Sequence, residues 1–423
     1  MSEQKYLKRL FQEYYRQKGK KLSQVNRFKN REFGVIPWDR QIMMRHMGFD
    51  SIDKFSKFLV QEGPRHVYSS GTLYEQPDRS EMDRKQYLGC DFIIDIDVDH
   101  FYTPCKDDHD LWRCKACGKH GKGLPGKKCA CGGVKFETFS WICENCLEIA
   151  KKSIISLVDN FLMPDFGVEE SDLKIAFSGH RGYHIKIEND KFRMLTSESR
   201  REIADYLEGN NLSLDELGFK KKKGIFYGLR KENVGWSKKI INKLEEFLRN
   251  QIPELEQSLK KFGLNENLIR GFIESQADLL EIISSDNIRN IWHIQGFGYA
   301  TWIRFLKALI EEVGVEIDEP VSIDVHRLIR YPDSLHGKSG FKVQELTIDE
   351  LENFNPLNEA NDCLDPIVFK SDTETQRLEI VEEIVPLTKM KGFNYGPYSQ
   401  GEIIEVPNHV AIFLLCKEVA KLP

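Results

Sequence analysis

The sequence predicts a mixed fold of helices and sheet, and three observations point to it. Residues 91–100 alternate almost perfectly: Phe92, Ile94, Ile96 and Val98 share one parity, and Asp91, Asp95, Asp97 and Asp99 the other. Successive side chains of a strand face opposite ways, so one face packs on a core and the other presents carboxylates. Short strand-like runs recur at 173–177, 183–187 and 321–325. Residues 195–315, by contrast, carry helical stripes and few strand signals.

A chain of 423 residues makes two or three lobes, at roughly 100–200 residues per domain. Its 40% hydrophobic and 30% charged content is that of a soluble globular protein. No apolar run approaches the roughly 18 residues of a membrane span. The first ten residues lack the apolar core of a signal peptide, so an intracellular protein is expected. The net charge of −5 gives no global attraction to nucleic acid, and any such binding must use local basic patches. Of the 10 cysteines, all but Cys363 and Cys416 fall between Cys90 and Cys146, which favours metal binding over a disulfide framework.

In chain order, Leu7, Leu10, Phe11 and Tyr14 mark an amphipathic helix over residues 3–17. The segment 31–38 mixes aromatic and charged side chains, and 65–74 reads as a strand interrupted by Gly71. The basic residues there face either a phosphate-bearing ligand or plain solvent. Asp95 and Asp97 follow on the alternating strand. Like charges on one face repel unless a cation joins them, which suggests Mg²⁺ or Mn²⁺; the plainer reading is a half-buried strand with a solvated face.

Cys114-Lys-Ala-Cys117 and Cys129-Ala-Cys131 flank a stretch rich in Gly and Lys, the arrangement of a zinc ribbon. Cys143-Glu-Asn-Cys146 adds a knuckle whose natural partners are Cys105 and His109, with His120 as a substitute for His109. Two closed, structural zinc sites follow; reduced, unligated thiols are the alternative. Cys363 and Cys416 read as core thiols.

A helix is expected from Glu144 to Leu162, its stripe formed by Leu147, Ala150, Ile154, Val158 and Phe161, and ended by Pro164. The Gly-flanked turn between strands 173–177 and 183–187 carries Ser178, His180 and Arg181, with His184 just beyond. These donors suit a phosphate, or belong to a solvated hairpin. Helices are expected at 238–251, 255–262, 268–283 and 301–313. Lys220–Lys223 reads as a loop that tracks a phosphate backbone or is merely solvated. After the run 321–325 with Asp324, residues Arg327, Arg330, His336 and Lys338 suggest an anion site beside a third carboxylate. A last helix is expected over 408–421, with Val410, Phe413, Leu414 and Val419 inward.

Taken together, these segments resemble the catalytic small subunit of archaeal and eukaryotic DNA primases across residues 25–345. Ile94-Asp-Ile-Asp97 is similar to that family's metal-binding strand, and Phe177-Ser-Gly-His-Arg-Gly-Tyr-His184 to its nucleotide motif. Asp324 stands where the family has its third metal-site Asp, and Arg330 with Ser334-Leu-His336 matches its second triphosphate segment. A zinc knuckle between the first two motifs also belongs to the family.

The resemblance implies an α+β catalytic core with an RRM-like sheet over 1–194 and 316–423. A zinc-binding insertion would span 105–146 and a mainly helical one 195–315. It implies template-directed, de novo synthesis of short primers from nucleoside triphosphates on single-stranded DNA. Asp95, Asp97 and Asp324 would hold the catalytic metals, and Ser178, His180, Arg181, His184, Arg330 and His336 the nucleotide. The family works as a heterodimer with an iron–sulfur large subunit in the replication machinery. The wording of the motifs is closer to the archaeal form, which implies a cytoplasmic protein, or a nuclear one in a eukaryote. Rival readings are a stand-alone primase-polymerase or repair polymerase, a non-catalytic zinc-ribbon nucleic-acid-binding factor, and a metal-dependent nuclease, although a nuclease needs no triphosphate cradle.

Overall fold

In the computed structural model, residues 2–284, 290–371 and 373–423 are described. The chain divides into two compact units, one of Met1–Ile155, Val168–Arg201 and Ile317–Pro423, the other of Ser156–Gly167 and Glu202–Glu316. Helix and sheet are mixed throughout. Among the described residues, no helix is long and apolar enough to cross a membrane.

The first unit is built on two antiparallel sheets. One runs Leu328–Arg330, His66–Tyr74, Arg31–Ile36 and Met44–Met47, with Tyr87–Cys90 also paired to His66–Tyr74. The other runs Gln344–Leu346, Leu173–Phe177, Gly182–Ile187 and Phe92–Asp97. In this second sheet Phe92, Ile94 and Ile96 face the core and are 0% exposed. Their apolar faces hold the strand down, which leaves the opposite parity free for Asp95 and Asp97. Asp95 pairs in register with His184, and Asp97 with Gly182.

Gly71 does not interrupt its strand, which continues from His66 to Tyr74. A Cβ at Gly71 would come within 2.5 Å of Ile93 Cδ1, so the missing side chain lets strand His66–Tyr74 cross close to the carboxylate-bearing strand.

Several other expectations are corrected. Residues 321–325 are not a strand: Glu319–Ile323 is a short helix with Pro320 in its first turn and Asp324 as its C-cap. Proline presets the first helical turn, and that outweighs the β-branched run. Pro164 does not end the preceding helix. Helix Glu144–Leu157 widens into a π-helical turn at Val158–Leu162 and continues as Met163–Phe166 until left-handed Gly167. Pro164 lies in the first turn after that widening, where its missing N–H is tolerated. The final helix is Asn408–Cys416, followed by the short strand Ala420–Lys421. Cys416 is buried, but Cys363 is exposed and not a core thiol. Asp91, of the acidic parity, is turned inward and paired with Arg31 at 2.6 Å and Arg193 at 2.7 Å.

In the second unit, helices Trp236–Arg249, Ile252–Lys261, Glu266–Glu274, Gln276–Ser284 and Tyr299–Val313 enclose an aromatic core that includes Phe247, Phe272, Phe297, Trp302 and Phe305. The helix expected at 268–283 breaks at Ser275. Lys220–Lys222 is a strand, not a loop, and pairs with Ile225–Tyr227. Lys223 (φ 49) and Gly224 (φ 82) make the tight turn with positive φ at both positions that such hairpins favour.

Candidate active site

Alternation puts Asp95 and Asp97 on one face of strand Phe92–Asp97. Burial, then Asp97 and Asp318, push the Asp95 carboxyl up to about 8, while Arg330 pulls the other way. Burial and then Asp99 raise Asp97, whose Oδ1 accepts the Asp99 N–H at 2.9 Å. Such crowding of half-buried acid disfavours the ionised form and is relieved by a divalent cation, for which an all-oxygen donor set is suited. Asp318, absent from the sequence reading, donates its N–H to the Asp95 carbonyl at 2.9 Å. From there helix Glu319–Ile323 packs back on the same strand through Val321, Ile93 and Ile329. Asp324, the C-cap of that helix, accepts the His326 N–H at 2.9 Å and has Arg327 Nε at 3.5 Å.

Arg330, which acts on Asp95, belongs to a cluster of imidazoles and cations. Left-handed Gly179 sits so close to His336 that a Cβ would come within 2.8 Å of the His336 Cβ. The turn therefore lays His180 flat on His336, with centroids 5.1 Å apart. His336 meets His66 at 4.9 Å, and Arg330 Nη1 donates to His66 Nδ1 at 2.7 Å. Lys417 Nζ donates to His180 Nε2 at 2.7 Å. Arg330 also lies over the Tyr68 ring at 5.0 Å. Burial first, and then these cations, hold His66, His180 and His336 well below the usual imidazole range. His184 is lowered to about 3, and its buried Nδ1 has no hydrogen-bond partner among the described residues. Ser178 N donates to Gly182 O at 2.9 Å, and Ser178 Oγ accepts the His180 N–H at 3.4 Å. A buried cluster of neutral rings with excess positive charge is chemically matched to an anion with several oxygens, such as a phosphate chain. His66 lies in the basic segment that sequence left open; nothing in the sequence signalled Lys417.

Arg181 is placed differently from its neighbours. It is 1% exposed, and Nη1 donates to both Asp110 oxygens at 2.7 and 2.9 Å and to Trp141 O at 3.0 Å. Its Nη2 is held by Asp99. Asp110 is in turn 2.9 Å from His109 Nδ1.

His109 belongs to one of two cysteine-rich sets. Cys105, His109, Cys143 and Cys146 gather in one, and Cys114, Cys117, Cys129 and Cys131 in the other, with ligand atoms within 4.8 Å of one another. Asp95, Asp97 and Asp324 are not drawn that close. Two sulfurs bound at about 2.3 Å to a tetrahedral ion lie about 3.8 Å apart. Cys114–Cys131 and Cys117–Cys129 are each 3.7 Å apart, so the donors fit a metal such as zinc. His120 stands outside both sets, with Nε2 at 2.6 Å from Glu383.

Residues 140–348 match the family described as DNA primase small subunit. Over 97% of this chain and 96% of the relative, the sequence is 30% identical to the DNA primase small subunit PriS of Methanocella arvoryzae. With the PriS of Archaeoglobus fulgidus identity is 31%, over 97% of this chain and 96% of the relative. The chain belongs to the DNA primase small subunit family. It is a nucleotidyltransferase of the archaeal type, as the sequence resemblance implied. The PriS of Thermoplasma volcanium is also similar, at 30% identity over 98% of this chain and 96% of the relative. The turn 178–182, Asp324, Arg330 and His336 lie inside the family match; Asp95 and Asp97 precede it.

Proposed function

We propose that the chain initiates and extends short primers on single-stranded DNA by two-metal nucleotidyl transfer. The observation that carries this is the pairing of crowded acid with uncompensated base: Asp95, pushed up to about 8, lies within the field of Arg330, beside neutral imidazoles. Asp95 and Asp97 hold the divalent cations, Mg²⁺ or Mn²⁺, and Asp324 completes the set. When bound, those ions activate a 3′-hydroxyl and screen the triphosphate. Ser178, His180, His184, Arg330 and His336 bind the incoming nucleotide; neutral rings donate one N–H each and Arg330 supplies fixed charge. Arg181 serves this set from behind by fixing Asp99 beside Asp97.

The sheet carrying Asp95 is the RRM-like centre of a core spanning 1–194 and 316–423. Residues 105–146 form an insertion with two structural zincs, and 195–315 a helical insertion. The relatives' name, small subunit, supports a large-subunit partner, which we take to be the iron–sulfur protein of the heterodimer. Such a partner offsets the weak electrostatic hold on template of a chain with net charge −5.

Incorporation of labelled nucleoside triphosphates on unprimed single-stranded DNA tests the reading, with and without a large subunit. Asp95→Asn and Asp97→Asn should each lower it about a thousandfold, the effect of losing several kcal/mol of transition-state stabilisation. Extension of supplied primers without initiation would favour the stand-alone polymerase. Zinc-dependent DNA binding with no incorporation at all would favour the non-catalytic factor.

A further inference from the structure

A cleft of about 410 Å³ opens beside the imidazole cluster, lined among others by Arg65, His66, His180, Lys338 and Lys417. Lys417 lies outside every segment assigned above to the nucleotide, at the C-cap of helix Asn408–Cys416. That helix end fixes its ammonium. Nζ donates to Ser140 O and to His180 Nε2, each at 2.7 Å, and lies over the Trp141 and Phe413 rings at 5.8 and 5.5 Å. Burial first, and then Arg181, lower this amine to about 7, with Asp99 and Asp110 acting the other way. In its ammonium form two of the three protons are used, leaving one donor.

The charge in this cleft is only partly balanced from within. Of its two carboxylates, Glu418 pairs with Arg65 of the same cleft at 2.9 Å, and Glu137 is engaged outside it with Arg113 at 3.2 Å. Among the described residues Lys338, Lys417 and Arg330 make no direct ion pair, and Asp99 and Asp110, which already hold Arg181, act on Lys417 only from a distance. The ring between Lys417 and His336 is neutral His180, which accepts from the lysine at Nε2 and so adds no counter-charge. A desolvated cation without a direct counter-ion is costly unless an anion completes it, and a lysine beside a row of ring donors suits a phosphate chain.

We propose that Lys417 is a phosphate ligand, delivered by the C-terminal helix to bind the terminal phosphates of the incoming nucleoside triphosphate. The inference rests on the nucleotide reading of His180, Arg330 and His336, and it extends that site to a segment remote in sequence. The structural alternative is that Lys417 only staples the helix end to Ser140.

Calorimetric titration of the full chain with magnesium tripolyphosphate separates the two. Wild type should bind, Lys417→Met should bind about tenfold more weakly, and Lys417→Arg should stay within about twofold of wild type. On a primed template the KM for nucleoside triphosphate should rise with Lys417→Met by a similar factor while kcat moves less than about twofold. If Lys417→Met does not fold, Lys417→Gln removes the charge while keeping a donor, and should show the same weakening. Undiminished tripolyphosphate binding by a folded, uncharged variant overturns the role of Lys417 alone. If wild type itself binds no tripolyphosphate, the phosphate reading of the whole cluster falls with it.

Discussion

Arg181 shows how much the role of one residue depends on its surroundings. Next to His180 in sequence, it is nonetheless enclosed by Asp110, Asp99 and the Trp141 carbonyl. Removing one partner of a buried pair leaves an uncompensated charge, so Asp110→Ala should cost about 3–5 kcal/mol of stability. Urea denaturation measures it, and a loss below about 1 kcal/mol would show that Arg181 does not depend on Asp110. The imidazoles make a second case. His66, His180 and His336 are lowered in the fold, whereas unfolded histidine titrates near 6.5. As pH falls below about 6.5 the unfolded chain takes up protons that the fold excludes, so stability present above that pH is lost. Thermal melts from pH 7.5 to 5.5, at roughly one unit either side of that value, should show the decline, and bound tripolyphosphate should reduce it. A flat profile would contradict neutral rings. Asp95 and Asp97 were legible because alternation on an apolar strand is a local signal. The partners of Arg181, the approach of His66 and the arrival of Lys417 were not, because tertiary packing decides them.

At the level of elements, the legible parts were those with an unbroken period. The strand Phe92–Asp97 and the hairpin of Leu173–Phe177 with Gly182–Ile187 followed their alternation, and the helix at Tyr299–Val313 its stripe. Where one residue's backbone preference competed with the pattern, the pattern misled: Pro320 turned a β-branched run into a helix, and the Lys223-Gly224 turn made a hairpin from a charge run. Gly71 is the most consequential, because its missing Cβ is what admits Ile93. Ile93 shares a parity with Asp95, so a wedge there displaces the acidic strand. Gly71→Val should cost about 1–3 kcal/mol by overpacking and lower nucleotide incorporation. Adding Ile93→Ala should recover part of both, as coupled neighbours do; additive losses in that double-mutant cycle would show that the contact is not the cause.

For the molecule as a whole, the two cysteine-rich sets divide between interior and periphery. Cys105, His109, Cys143 and Cys146 lie on a segment that also supplies Asp110, and through it Arg181 and Asp99 reach the turn beyond Asp97. Cys114 ends a strand of the small sheet of His120–Lys122, Leu111–Cys114 and Phe136–Phe139, and Cys117, Cys129 and Cys131 lie in the connections between its strands, with Cys117 and Cys131 exposed. Partners that orient a metal-bound histidine typically change affinity or activity by about 10–100-fold, so disturbance of the inner set should propagate to catalysis. Cys146→Ser should therefore lose one metal equivalent and lower incorporation on a primed template by more than about tenfold. Cys117→Ser should also lose one equivalent, yet keep incorporation within about threefold, since no hydrogen-bonded chain of the kind found at Asp110 leads from its set to Asp97 among the described residues. Metal content measured beside incorporation decides it. Equal losses of activity would mean that both sets support the catalytic strand, and retained activity in Cys146→Ser would mean that Asp110 holds Arg181 without the metal.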